Sequence, residues 1–99
     1  MNKNMKKPRN LDMYKAILTL RDVDECTRFF DDLCSVTELK AMEQRFHVAE
    51  LLDRGLVYND ILEQTGASSA TISRVNRSLQ YGADGYEIVF RRMKEQEEQ

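Results

Sequence analysis

The stretch from Gly55 to Leu79, GLVYNDILEQTGASSATISRVNRSL, constrains the fold of this chain more tightly than any other. It divides at Gly66 into two short helical patterns, with room between them only for a tight turn. Before the turn, Ile61 and Leu62 form the apolar pair of one helix. After it, Ile72, Val75 and Leu79 recur at i, i+3 and i+7, the stripe of a helix with one buried face. Gly66 suits the turn because a residue just past a helix C-terminus commonly adopts a left-handed conformation, which costs a residue bearing a Cβ about 1 kcal/mol or more. Ser68 or Ser69 then caps the second helix. Two short helices about a glycine give the outline of a helix-turn-helix, at about residues 57–81.

At 100° per residue, turning Ile72, Val75 and Leu79 inward leaves Ala70, Ser73, Arg74, Arg77 and Tyr81 pointing outward. No acidic residue occurs from Gly66 to Gly82, although acids outnumber bases in the whole chain by 17 to 15. Small hydrogen-bonding side chains followed by arginines let a helix approach a groove floor while the guanidinium groups reach phosphates or guanine edges. The second helix is therefore expected to be a recognition helix facing double-stranded DNA through Ser68, Ser69, Ala70, Thr71, Ser73, Arg74, Asn76 and Arg77. Ser69, Ala70, Ser73 and Arg74 are the base-facing positions, and Arg77 with Asn76 grips phosphates. A second reading is a helical dimerisation or adaptor protein that binds a protein partner. That reading needs an apolar patch where Arg74 and Arg77 stand.

From roughly Ser35 to Leu79 the chain resembles the tryptophan-repressor superfamily, and more closely its YerC/YecD-type branch. The residues carrying the likeness are SVTELKAMEQR, LLDRG and TGASSATISRVNRSL. The resemblance implies an all-α, six-helix fold, an intertwined homodimer with one recognition helix per subunit in successive major grooves, and the role of a transcriptional repressor. In the tryptophan repressor the corepressor's indole lies between two arginines, and Arg45 and Arg74 match them here. A serine near the ligand's amino group matches Ser78, and a helix-capping hydroxyl matches Ser35. Ser35, Arg45, Arg74 and Ser78 are thus the implied small-ligand pocket.

The likeness fails at the pocket floor. Val75 stands where the tryptophan repressor has glycine, and Asp32 and Cys34 stand where it has leucines. A β-branched side chain where backbone must approach a ring, with a carboxylate in the wall, argues against tryptophan as the ligand. No cofactor is expected, and the sequence names no small-molecule effector. The base-facing positions carried over by the resemblance are Ser69, Ala70 and Ser73. A guanine-reading arginine on the preceding helix matches Asn59, so the operator should differ.

With 99 residues, the chain is expected to form a single all-helical domain over residues 10–96, preceded by a disordered basic tail over residues 1–9. The tail owes its charge to Lys3, Lys6, Lys7 and Arg9. The net charge of −2 suits an acidic body with local basic patches, which binds non-specific DNA weakly and so favours a specific regulator. No apolar run approaches the roughly eighteen residues a membrane span needs, and Asp12 and Lys15 interrupt any export signal. A cytoplasmic protein without membrane partners is the expectation.

A first helix is expected over residues 10–20, striped by Leu11, Tyr14, Ile17 and Leu18. Asp22 or Asp24 opens the next, on which Val23, Cys26, Phe29, Phe30 and Leu33 recur at helical spacing. Two adjacent phenylalanines on a short helix call for a large apolar partner, which a second subunit would supply. Ser35-Val36-Thr37-Glu38 reads as a capping box opening a helix to about Arg54, with Leu39, Met42, Phe46, Ala49 and Leu52 inward. A last helix after Gly82, capped by Asp84, carries Tyr86, Val89, Phe90 and Met93 on one face, and the tail KEQEEQ is expected to fray.

Catalysis is not expected. Cys26 and Cys34, eight residues apart with only His47 beside them in composition, make neither a CxxC pair nor a zinc set. No nucleophile with an orienting base and third group is legible, and the glycines form no phosphate-cradling loop.

Overall fold

The computed structural model describes residues 9–98, and residues 1–8 of the tail expected over residues 1–9 lie outside them. Among the described residues there are six helices and no strand, in the order α1 (Asp12–Ile17), α2 (Val23–Leu33), α3 (Val36–Asp53), α4 (Tyr58–Thr65), α5 (Ser69–Tyr81) and α6 (Gly85–Glu97). The chain divides into two compact units, one ending at Leu39 and the other beginning at Lys40.

In the N-terminal unit, local hydrogen bonds decide where helices start and stop. α1 is shorter than its apolar stripe suggests, because Thr19 donates both its N–H and its hydroxyl to the Ala16 carbonyl (3.0 and 2.7 Å) and closes the chain into a turn. Of the two aspartates that could open α2, Asp22 does so, accepting the Glu25 N–H at 2.8 Å while Glu25 accepts the Arg21 N–H at 2.9 Å. Ser35 and Glu38 form the reciprocal capping box of α3: the Glu38 N–H reaches Ser35 Oγ at 3.1 Å, and Glu38 Oε1 accepts the Ser35 N–H at 2.8 Å. Phe29 and Phe30 meet edge to face, with ring centroids 5.6 Å apart. Even so, no residue of α1 or α2 is buried.

The C-terminal unit contains the core: Val48, Ala49 and Leu51 of α3, Ile61 of α4, Ala67 of the turn, Ile72 and Val75 of α5, and Phe90 of α6. Phe90 is flanked by Phe46 at 5.5 Å and by Tyr86, stacked at 5.8 Å. Burying an aliphatic side chain of this size stabilises by roughly 1.5–3 kcal/mol. The core therefore rests on Val48, Ile61 and Ile72, the largest side chains that are fully enclosed.

Several expected inward positions are corrected here. On α3, Ala49 is buried and Phe46 and Leu52 pack half-buried against the core, as expected, whereas Met42 is exposed, Leu39 is only half-buried, and Val48 and Leu51 enter the core. The second half of α3 carries apolar residues around most of its circumference, so spacing alone does not select the buried face. On α4 only Ile61 is buried, and Leu62 is 45% exposed. Asp84 does not cap α6: it sits at φ +66° in the left-handed region and its side chain accepts no cap hydrogen bond. α6 continues to Glu97, and Lys94 reaches Asp53 of α3 at 3.5 Å.

Candidate nucleic-acid interface

The interface is built outward from the turn between α4 and α5, which pack against each other. α3 ends in a Schellman arrangement, with the Gly55 N–H on the Leu52 carbonyl and the Leu56 N–H on the Leu51 carbonyl (3.0 and 3.1 Å), which aims the chain into α4. α4 ends at Gly66, whose φ of +69° lies in the left-handed region and whose N–H closes on the Leu62 carbonyl at 2.9 Å. Thr65 then ties both sides of the turn together. Its hydroxyl donates to the Ile61 carbonyl at 2.7 Å and accepts the Ala67 N–H at 3.1 Å. Gln44 of α3 donates to the Thr65 carbonyl at 3.2 Å, and Ala67 plugs the core beneath. Ser68 caps α5, accepting the Thr71 N–H at 3.1 Å.

α5 leaves this turn with Ile72 and Val75 locked into the core and Leu79 half-buried. Its opposite face is therefore held in one orientation. Ala70, Ser73, Arg74, Arg77 and Tyr81 are all exposed on it, and Ser69 is exposed at the start of the helix. Among the described residues neither Arg74 nor Arg77 forms an ion pair, whereas other cations of the chain do, such as Arg28 with Asp24 and Arg91 with Glu87. Two unpaired guanidinium groups on an acid-free face form a fixed positive patch. Such a patch favours phosphate oxygens.

The remaining candidates separate by what their side chains already do. Ser68 and Thr71 bond to each other, Oγ to Oγ1 at 3.1 Å, and Thr71 is half-buried. Asn76 is half-buried and accepts from Gln80 Nε2 at 3.4 Å. These contacts lie within the turn and within α5 itself. Asn59 is exposed on α4. Thr65 and Gln44 join this site without being singled out by the sequence pattern; a threonine just before the turn glycine is the available signal for the first, and nothing local marks the second.

The ligand-pocket candidates divide between the two units. Ser35 belongs to the N-terminal unit, where its side chain caps α3. Arg45, Arg74 and Ser78 belong to the C-terminal unit and are exposed. Ser78 lines an open, apolar depression of about 450 Å³ together with Phe46, Tyr86 and Val89, and neither arginine is part of its lining. Val75, at the position where the tryptophan repressor has glycine, is 2% exposed and fills the core. No group of three or more His, Cys, Asp or Glu side chains is gathered to hold a metal among the described residues, and Cys26 and Cys34 are free and half-buried. No helix among them is long and apolar enough to cross a membrane.

Comparison with known proteins supplies the frame for this geometry. Residues 10–94 match the family model described as Trp repressor protein. The uncharacterized protein YerC of Bacillus subtilis (strain 168) is 51% identical over 85 residues, spanning 86% of this chain and 82% of its own. Two solved structures superpose closely. A candidate Trp repressor from Staphylococcus aureus has a TM-score of 0.81 at 48% identity, covering 84% of this chain and 83% of its own. A TrpR-like protein from Eubacterium eligens ATCC 27750 has a TM-score of 0.80 at 54% identity, covering 83% and 84%.

Proposed function

The chain belongs to the Trp repressor protein family, and on that premise we propose that it is a sequence-specific DNA-binding transcriptional regulator, a repressor acting as a homodimer. The observation that carries this reading is the outward face of α5. Ser69, Ala70, Ser73, Arg74 and Arg77 stand exposed and acid-free on a helix whose other face is fixed by Ile72 and Val75. In this reading α4, the turn at Gly66 and α5 are a helix-turn-helix, and α5 enters the major groove N-terminus first. The small residues approach base edges and the arginines reach guanines or phosphates. Family members are regulators rather than enzymes, and this chain is read the same way.

The homodimer is supported by apolar surface that the single chain leaves in solvent. In the N-terminal unit Leu18 is 84% exposed, Val23 79% and Val36 68%. Several large apolar side chains at such exposure within one small unit suit a surface that another protein covers. A twofold dimer then sets two half-sites about one helical turn apart. Tryptophan is not the effector in this reading, because Val75, a buried core residue, stands at the position where the tryptophan repressor has glycine.

The test is the affinity of the purified protein for fragmented genomic DNA across a range of salt concentrations. A regulator should select a subset of fragments and lose affinity with a log–log slope of about −0.9 per phosphate neutralised. Arg77→Ala should weaken binding to all sequences alike and flatten that slope, whereas Ser73→Ala should act at one base position. Binding that stays undetectable at low salt would overturn the reading and leave the protein-binding adaptor in its place.

A further inference from the structure

Tyr81 is the last residue of α5 and is 81% exposed. The other exposed apolar side chains of the C-terminal unit have apolar neighbours on their own element. Tyr58 has Leu62, and Val89 has Ile88 and Met93. Tyr81 has none. At 100° per residue it falls between Ala70, Arg74 and Arg77 in the middle of the outward face of α5. Its neighbours on that face are small, hydroxylic or cationic.

That company makes a poor apolar docking patch and a good polar one. A phenol combines a flat ring that tolerates water with one O–H donor. No hydrogen bond of that hydroxyl occurs among the described residues, in contrast to Tyr14, which accepts from Arg9 Nη1 at 3.3 Å. Position along the helix specifies the partner. With a rise of about 1.5 Å per residue, Tyr81 lies about 16 Å beyond Ala70 and about 6 Å beyond Arg77. If the N-terminal residues of α5 reach the groove floor, its C-terminal end must rise past the groove wall, where phosphates lie. The Gly82 N–H closes on the Ser78 carbonyl at 3.0 Å, so Tyr81 is held on the helix to its end.

We propose that Tyr81 is a DNA-positioning residue whose phenol donates a hydrogen bond to a backbone phosphate at the edge of the groove, next to Arg77. The inference rests on the regulator reading above and extends it to a neutral donor. A neutral donor releases no counterion, so its removal and that of an arginine leave different signatures.

The experiment measures affinity for one selected fragment and one non-specific fragment across salt concentrations, using the full chain and its Tyr81→Phe, Tyr81→Ala and Arg77→Ala variants. Tyr81→Phe keeps the ring and should weaken binding to both fragments roughly tenfold with an unchanged salt slope, as removal of a hydrogen bond to a charged acceptor would. Arg77→Ala should instead flatten the slope by about 0.9 for each phosphate it no longer neutralises. Wild-type binding with an unaltered Tyr81→Phe affinity would overturn this inference alone. So would a Tyr81→Phe effect confined to one base position, or a Tyr81→Ala shift in self-association, either of which gives the ring another partner. Failure of the wild type to bind any fragment would overturn the regulator reading as well.

Discussion

α2 and α5 are both amphipathic by spacing, yet α5 buries Ile72 and Val75 within the single chain while α2 buries nothing. Their capping is equally good: Asp22 accepts the Glu25 N–H at 2.8 Å, and Ser68 accepts the Thr71 N–H at 3.1 Å. The difference lies in what each stripe can meet. α5 belongs to a unit in which α3, α4 and α6 supply Val48, Leu51, Ile61 and Phe90. α2 belongs to a unit of two short helices and the start of α3, which has too few side chains to enclose its phenylalanines. Local signals therefore form helices in both units, and only one unit holds enough apolar chain to make a core.

The contrast can be broken most directly in the core. Ile61→Ala removes a fully buried side chain and should cost about 2–5 kcal/mol in urea unfolding at fixed protein concentration. A change of less than about 1 kcal/mol would mean that the C-terminal core is not the seat of stability. Leu18→Lys tests the other half. At 84% exposure the change should be nearly neutral in an isolated chain, whereas a dimer covering Leu18 should show its dissociation constant raised at least tenfold, about 1.4 kcal/mol, by sedimentation. Unaltered self-association would remove the apolar surface as an argument for dimerisation.

Two left-handed positions in the C-terminal unit should respond with opposite signs. A Cβ on Gly66 would meet nothing within 4 Å, so Gly66→Ala carries only the conformational penalty at φ +69°, about 1 kcal/mol, read as a lowered Tm. Asp84→Gly relieves a residue at φ +66° but gives the unfolded chain more freedom. Its net gain should stay below about 1 kcal/mol, and a lowered Tm would show that the Asp84 side chain has a role beyond geometry.

The smallest effect concerns the N-terminal unit. The N–H and hydroxyl of Ser35 hold the Glu38 carboxyl below its ordinary value near 4.5. A depressed carboxylate contributes stability that is present above its unfolded-state value and is lost as pH falls through its folded-state value. Stability should therefore fall on acidification in the window below about 4.5, and Glu38→Gln should flatten that part of the pH profile. An unchanged profile would mean that the capping box does not persist in solution.

Much of the candidate site was legible because it is local. The left-handed glycine, the serine cap and the three-residue recurrence of Ile72 and Val75 act within a few residues of one another, and the outward face follows by subtraction. Thr65 and Gln44 were not legible as a pair. Their bond joins residues 21 apart in sequence, and nothing near Gln44 announces it. Asp84 misled for a related reason: aspartate before a helix usually caps it, but the backbone here turns left-handed and carries the carboxylate away from the cap position.

The sequence by itself determined the helices, the turn at Gly66, the capping box at Ser35 and the acid-free outward face, because each depends on backbone geometry and hydrogen bonds between near neighbours. Only the tertiary structure decided which side of α3 is buried and that α2 fully buries none of its apolar stripe. Those outcomes depend on the volume and area available from elements distant in the chain, and periodicity within one helix carries no information about how much partner surface exists.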